Sequence, residues 1–199
     1  IAGVGVAFYI LIAFRSYLRD QQYFEQGPNL LKYLDLVALG TVADCVRLDL
    51  NNRIMVAHGL SLMRSGKARP GIKALIKIAR RSPCLLEADD MGFAIAPRLN
   101  AAGRLEDMSI GVRCLLAETK QEAESYAKRL DEINMQRREM QQEMTESALK
   151  YASTHKIDQQ PVAIIHQPMC HEGIIGLVAS MIKERFNRPS IVLTEDHDG

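Results

Sequence analysis

The stretch from Lys120 to Ala152 constrains the fold of this chain more than any other. Apolar residues recur there by threes, fours and sevens (Ala123, Ala127, Leu130, Ile133, Met140, Met144, Ala148, Tyr151) on a polar background. That period predicts one helix, with the helical pattern beginning near residue 109 and ending near 153. Residues 120–152 alone would reach roughly 50 Å at 1.5 Å per residue. A single narrow apolar stripe cannot make a core, so such a helix bridges two bodies or packs along one. The chain has 199 residues, enough for one large domain or two small ones.

The pattern differs on the two sides of this helix. Residues 2–19 are apolar almost all round and predict a buried core helix. That apolar segment is too short to span a membrane, is followed by Arg15 and Arg19, and lacks the basic start of a signal peptide. "EQGPN" at 25–29 is a breaker. Residues 30–43 read as a helix start and then a buried strand, "LVALGTVA". Helical periods return at 52–65 and 71–81, and "MGFAIAPRLNAAGRLED" (91–107) is rich in small residues. On the far side, "VAIIH" (162–166), a helix at 173–186 and "PSIVLT" (189–194) form one βαβ unit, which requires a parallel pair. The fold class is α/β. One βαβ unit is not a stable domain, so further strands are expected beyond Gly199. With Ile1 in place of a methionine, the sequence reads as an excised or processed piece of a longer protein.

Twenty-five basic and 24 acidic residues give a net charge of +1, so any anion site must be local. Four cysteines (Cys45, Cys84, Cys114, Cys170) form no C-x-x-C pair, which argues against a zinc knuckle and a disulfide framework. A reducing, cytoplasmic setting fits.

Three places can carry chemistry. Asp44 follows the apolar run, and a carboxylate held rigidly there can ligate Mg²⁺ or Mn²⁺. It can equally be a turn or cap residue, and neither Asp35 nor any other acid is obviously placed to help. In "APRLNAAGRL" (96–105), Arg98, Asn100 and Arg104 stand among residues small enough to let a ligand approach. Paired guanidiniums can grip phosphate. The competing reading is a tight helix contact with solvated arginines. In "HQPMCHEGIIGLVAS" (166–180), His171 precedes a helix start whose free N–H groups favour an anion, with Ser180 further along. The competing reading is an ordinary βα connection with a capping histidine. "GVGVAF" (3–8) lacks the third glycine and the preceding strand of a dinucleotide fingerprint. "EDHDG" (195–199) looks like a metal triad but reads as a solvated turn.

Three motifs, in this order and spacing, resemble one family: "LVALGTVADCVRL", "GFAIAPRLNAAGRLED" and "HEGIIGLVASMIKERFNRPSIVL", with "AGVGVAF" (2–8) ahead of them. They are similar to the RecJ family of the DHH phosphoesterase superfamily, which are single-strand-specific 5′→3′ DNA exonucleases. The resemblance covers nearly the whole chain. It implies the C-terminal part of a DHH phosphoesterase domain (1–108), a connector with the long helix (109–154) and the start of a DHH-associated domain (155–199). It also implies two Mn²⁺ or Mg²⁺ ions, with Asp44 a metal ligand and Arg98, Asn100, Arg104, His171 and Ser180 on the substrate side.

The chain departs from the family in places. The name-giving Asp-His-His motif and the earlier aspartates are expected before Ile1. The glycine-rich C-terminal motif and an OB-fold domain are missing too, so the fragment alone is expected to be inactive. Cys45 and Arg47 stand where the family often has Val-Pro, and Met181 where it often has Arg. The resemblance implies single-stranded DNA as substrate, work in DNA repair and recombination, and a single-strand-binding protein and a RecQ-type helicase as partners. Other readings are a phosphodiesterase for short oligonucleotides or cyclic dinucleotides, a catalytically dead scaffold, and a plain helical module.

Overall fold

A computed structural model describes residues 1–168 and 170–195. The chain divides into two compact units. Unit 1 comprises 1–102 and 108–131, and unit 2 comprises 103–107 and 132 onward.

Unit 1 is helical: α1 (Gly3–Asp20), α2 (Leu34–Ala43), α3 (Leu50–Arg64), α4 (Pro70–Ile78), the single turn α5 (Ala88–Asp90), the first part of α6 (Ala96–Leu105), α7 (Ser109–Leu116) and the first part of α8 (Lys120–Thr154). The strand expected at 36–43 is helix α2. Its residues Leu34, Asp35, Val37, Ala38, Leu39 and Thr41 are all buried, on nearly every side of the helix. A helix buried that fully has no polar face, so its apolar run carries no 3.6-residue period. The crossing with α3 is close: a Cβ on Gly59 would overlap the Leu34 carbonyl oxygen and the Ala38 Cβ.

The expected burial of α1 also needs correction. The helix forms, but only one stripe is covered. Phe8 packs with Leu30, Leu34, Val37 and Met55, supported by Val4 and Ile12. Val6, Tyr9, Ile10, Phe14 and Tyr17 are exposed. Among the described residues no helix is long and apolar enough to cross a membrane.

A buried ion pair ties the start of α2 to the start of α4. Asp35, 1% exposed, accepts from the Arg69 backbone N–H and Nε at 3.0 Å each through Oδ2, and from Arg69 Nη2 at 2.9 Å through Oδ1. The Leu36 N–H also donates to Oδ1, at 2.8 Å, so the carboxylate accepts four hydrogen bonds, which is what makes a buried charge tolerable.

The expected helix at 109–153 is broken at 117–119. Thr119 Oγ1 accepts from the Glu122 N–H at 3.2 Å and restarts the chain as α8. Thr119 followed three residues later by Glu122 is the spacing of a capping box.

Unit 2 holds the rest of α8, β1 (Ala163–His166), α9 (Glu172–Phe186) and β2 (Ser190–Leu193). The strands pair in parallel, Ala163 opposite Ser190 through His166 opposite Leu193, as the βαβ reading requires. The whole is therefore α/β, with its sheet confined to unit 2 among the described residues. Ala163, Ile165 and Val192 turn into a core with Ile174, Val178 and Ile182 of α9 and Ala148 and Ala152 of α8. Ile164, Ile191 and Leu193 turn outward and are about half exposed.

Candidate functional site

The site residues expected from sequence fall in both units: Asp44, Arg98 and Asn100 in unit 1, and Arg104, His171 and Ser180 in unit 2.

Asp44 is the C-cap of α2, not the tip of a strand. Its backbone N–H bonds the Gly40 carbonyl at 3.0 Å, and its side chain is exposed and makes no hydrogen bond among the described residues. Two local preferences are violated here. A carboxylate lies at the negative end of a helix, where it costs about 0.3–1 kcal/mol. Cys45, next to it, adopts φ +51°, a left-handed conformation that usually falls to glycine at this position. A non-glycine residue held there costs on the order of 1 kcal/mol. A bound cation would offset the first of these.

Neighbouring acids are already engaged. Asp35 is locked to Arg69, and Asp49 caps α3 by accepting from the Asn52 N–H at 2.9 Å. Among the described residues no three His, Cys, Asp or Glu side chains cluster as a metal cage. Asp44 thus fits the place of one ligand and cannot hold an ion alone. The acidic run at 195–199 lies outside the described residues except for Glu195, which stands 3.5 Å from His166 Nε2.

Arg98 and Asn100 sit on α6. The residues before α6, Met91–Ile95, form a π-helical turn that runs straight into it. Pro97 explains the turn: it has no N–H to donate, and its ring clashes with the carbonyl four residues earlier. A wider turn absorbs both, and such bulges recur at functional sites. Sequence reading missed this, although a proline inside a helical pattern was the signal. Arg98 is largely buried. Its Nε donates to Asp131 Oδ1 at 2.8 Å and its Nη1 to the Ala94 carbonyl. The guanidinium is thereby fixed, with Nη2 left over. Asn100 is exposed.

In unit 2, His171 caps α9: the Gly173 N–H donates to its Nδ1 at 3.1 Å. That bond places the proton of the neutral ring on Nε2, which is then the atom able to donate to a ligand. The helix-start N–H at Gly173, expected to meet an anion, is occupied by the histidine itself. Arg104 clasps the same turn, its Nη1 donating to the Gly173 carbonyl at 3.1 Å. A Cβ on Gly173 would overlap the Arg104 carbonyl, so only glycine permits this approach. Ser180 is exposed on α9. Gly103, in α6, does not adopt a positive φ.

The chain's resemblance to RecJ is borne out by comparison with known proteins. No family model matches the chain. The single-stranded-DNA-specific exonuclease RecJ of Salmonella typhimurium is 50% identical over 207 residues, and that of Escherichia coli 50% over 206. That of Thermus thermophilus is 31% identical over 193. The chain is covered completely by the first two and spans 36% of their length. Among solved structures, exonuclease RecJ bound to manganese matches 96% of the chain and 46% of its own, with a TM-score of 0.81 at 30% identity. The Mg²⁺ complex of RecJ from Thermus thermophilus matches 89% of the chain and 27% of its own, with a TM-score of 0.72 at 28% identity.

Proposed function

From this chain-wide similarity to RecJ exonucleases, we propose that the protein carrying the chain is a single-strand-specific 5′→3′ DNA exonuclease. It hydrolyses phosphodiester bonds with two divalent ions, Mn²⁺ or Mg²⁺. The similarity carries the reading, and the placement of Asp44 supports it: a lone exposed carboxylate set against a helix dipole suits a residue kept for a cation. When bound, the metal ions supply a polarised water and stabilise charge on the leaving oxygen.

The chain's own residues have separate jobs in this reading. Asp44 is one metal ligand. Arg98, aimed by Asp131, and the exposed Asn100 and Arg104 hold substrate phosphate through charge-assisted hydrogen bonds. His171 offers Nε2–H and Ser180 its hydroxyl to the strand. Residues 1–108 act as the C-terminal part of a DHH phosphoesterase domain, 109–154 as connector and 155–199 as the start of a DHH-associated domain. The setting we propose is cytoplasmic DNA repair and recombination, with a single-strand-binding protein and a RecQ-type helicase as partners.

The test is an assay of the full-length protein on 5′-labelled single-stranded DNA with Mn²⁺ or Mg²⁺. Asp44→Ala is expected to abolish metal-dependent release of nucleotides while the melting temperature holds. Wild-type digestion by Asp44→Ala would remove Asp44 from the site.

A further inference from the structure

Arg98 is held by unit 1 from two directions. From α8, Asp131 Oδ1 accepts from Nε at 2.8 Å. From the π-turn Met91–Ile95, the Ala94 carbonyl accepts from Nη1. The side chains of Arg98 and Asp131 are 13% and 25% exposed, so salt screens their attraction far less than that of a surface pair. The turn is itself braced. Met91, Ala94 and Ile95 are buried, and a Cβ on Gly92 would stand 3.3 Å from Val42 Cγ1 in the last turn of α2. Pro97, with no N–H to donate, keeps the turn wide.

The form of this attachment differs from that of the other buried arginine pair. An arginine that only locks two helices together does best with two parallel donors on its carboxylate, as Arg69 has on Asp35 through Nε and Nη2. Arg98 gives Asp131 Nε alone and spends Nη1 on a backbone carbonyl. Nη2 is thereby kept off both partners, while the torsions that carry it are frozen. Freezing an arginine costs up to about 2 kcal/mol of side-chain entropy, and here folding bears that cost before any ligand arrives.

We infer that Asp131 is a positioning residue that acts through Arg98, with the π-turn as its second brace, and that together they hold Nη2 ready for one phosphate oxygen. This rests on the nuclease reading above and deepens it: the grip at Arg98 is set in advance, by residues that do not touch the strand. Preset geometry of this kind raises the rate of a bound substrate more than it tightens binding.

The full-length protein is assayed on 5′-labelled single-stranded DNA with Mn²⁺. Asp131→Ala is expected to lower kcat about 10- to 100-fold and to move KM less than about 3-fold, since the strand keeps its other phosphate contacts while one guanidinium loses its aim. Asp131→Asn keeps the Oδ1 acceptor and is expected to bring kcat back to within about 5-fold of wild type. Pro97→Ala lets the turn close and is expected to lower kcat about 3- to 10-fold. In an Arg98→Ala background, Asp131→Ala is expected to change nothing further. Fully additive losses in that background, or wild-type kcat in Asp131→Ala, would overturn the inference. A second readout needs no activity: proton exchange at the arginine Nε–H groups, followed by NMR on the metal-free protein with isotope-labelled arginine. The Arg98 Nε–H is expected to exchange slowly in the wild type and rapidly in Asp131→Ala. Rapid exchange in the wild type would overturn the clamp. Slow exchange in a wild type that leaves the strand intact would keep the clamp and overturn the nuclease reading.

Discussion

Asp35 and Asp44 lie nine positions apart at the two ends of one helix, and their surroundings separate their roles. Asp35 is buried and takes three of its four hydrogen bonds from Arg69, so removing it strands a part-buried guanidinium. Asp35→Ala should destabilise unit 1 by about 3–5 kcal/mol, measured by urea unfolding. A loss below about 1 kcal/mol would mean that water replaces the carboxylate at Arg69 at little cost.

The thiols divide by the same logic. Cys114 is 0% exposed, with only distant carbonyl oxygens of Gly71 and Ala123 near its sulfur, at 4.0 and 3.9 Å. Burial pushes its pKa up to about 11 from an ordinary 9.0, and burial raises that of Cys170 as well. At pH 8 a thiol reagent should modify exposed Cys45 and Cys84 in the folded protein, and Cys114 and Cys170 only after denaturant is added. Because the folded state holds the Cys114 proton more tightly than the unfolded chain does, this contribution is complete below about pH 9. It is lost as the pH rises from 9 towards 11. Rapid labelling of Cys114 at pH 8 without denaturant would contradict its burial.

At the scale of elements, the α2–α3 crossing is the most exposed to a single change. Gly59→Val places branched carbons where the Leu34 carbonyl and Ala38 already sit. A loss of about 1–3 kcal/mol is expected, checked by thermal melting of the variant. The βαβ unit was legible because breakers bound each short β-rich run and a helical period lies between them. α2 was not, because an eight-residue apolar run reads alike as a buried strand or a buried helix. α1 differs in the other direction: its all-round apolar sequence predicts burial, and half of the helix faces out. The motifs singled out the candidate site residues, whose roles are those proposed above. The Asp35–Arg69 lock and the Arg98–Asp131 pair were not legible, since 34 and 33 residues separate the partners and no local pattern links them.

For the molecule as a whole, each unit has its own apolar core, and local damage should stay local. Ile165 is fully buried in unit 2. Ile165→Ala should cost that unit about 2–5 kcal/mol. Native-state hydrogen exchange should then show faster exchange for β1 and α9 amides, with α2 and α4 amides unchanged. Equal acceleration in both units would mean that the chain opens as one cooperative body.

The outer face of the β1–β2 pair has a consequence for the protein as a colloid. Ile164, Ile191 and Leu193 form a half-exposed apolar strip on two short strands. With a net charge of +1, the chain has almost no long-range repulsion to keep two copies of that strip apart. For these 199 residues alone, that strip joins the exposed face of α1 in favouring a negative osmotic second virial coefficient near neutral pH, and added salt has little repulsion left to screen.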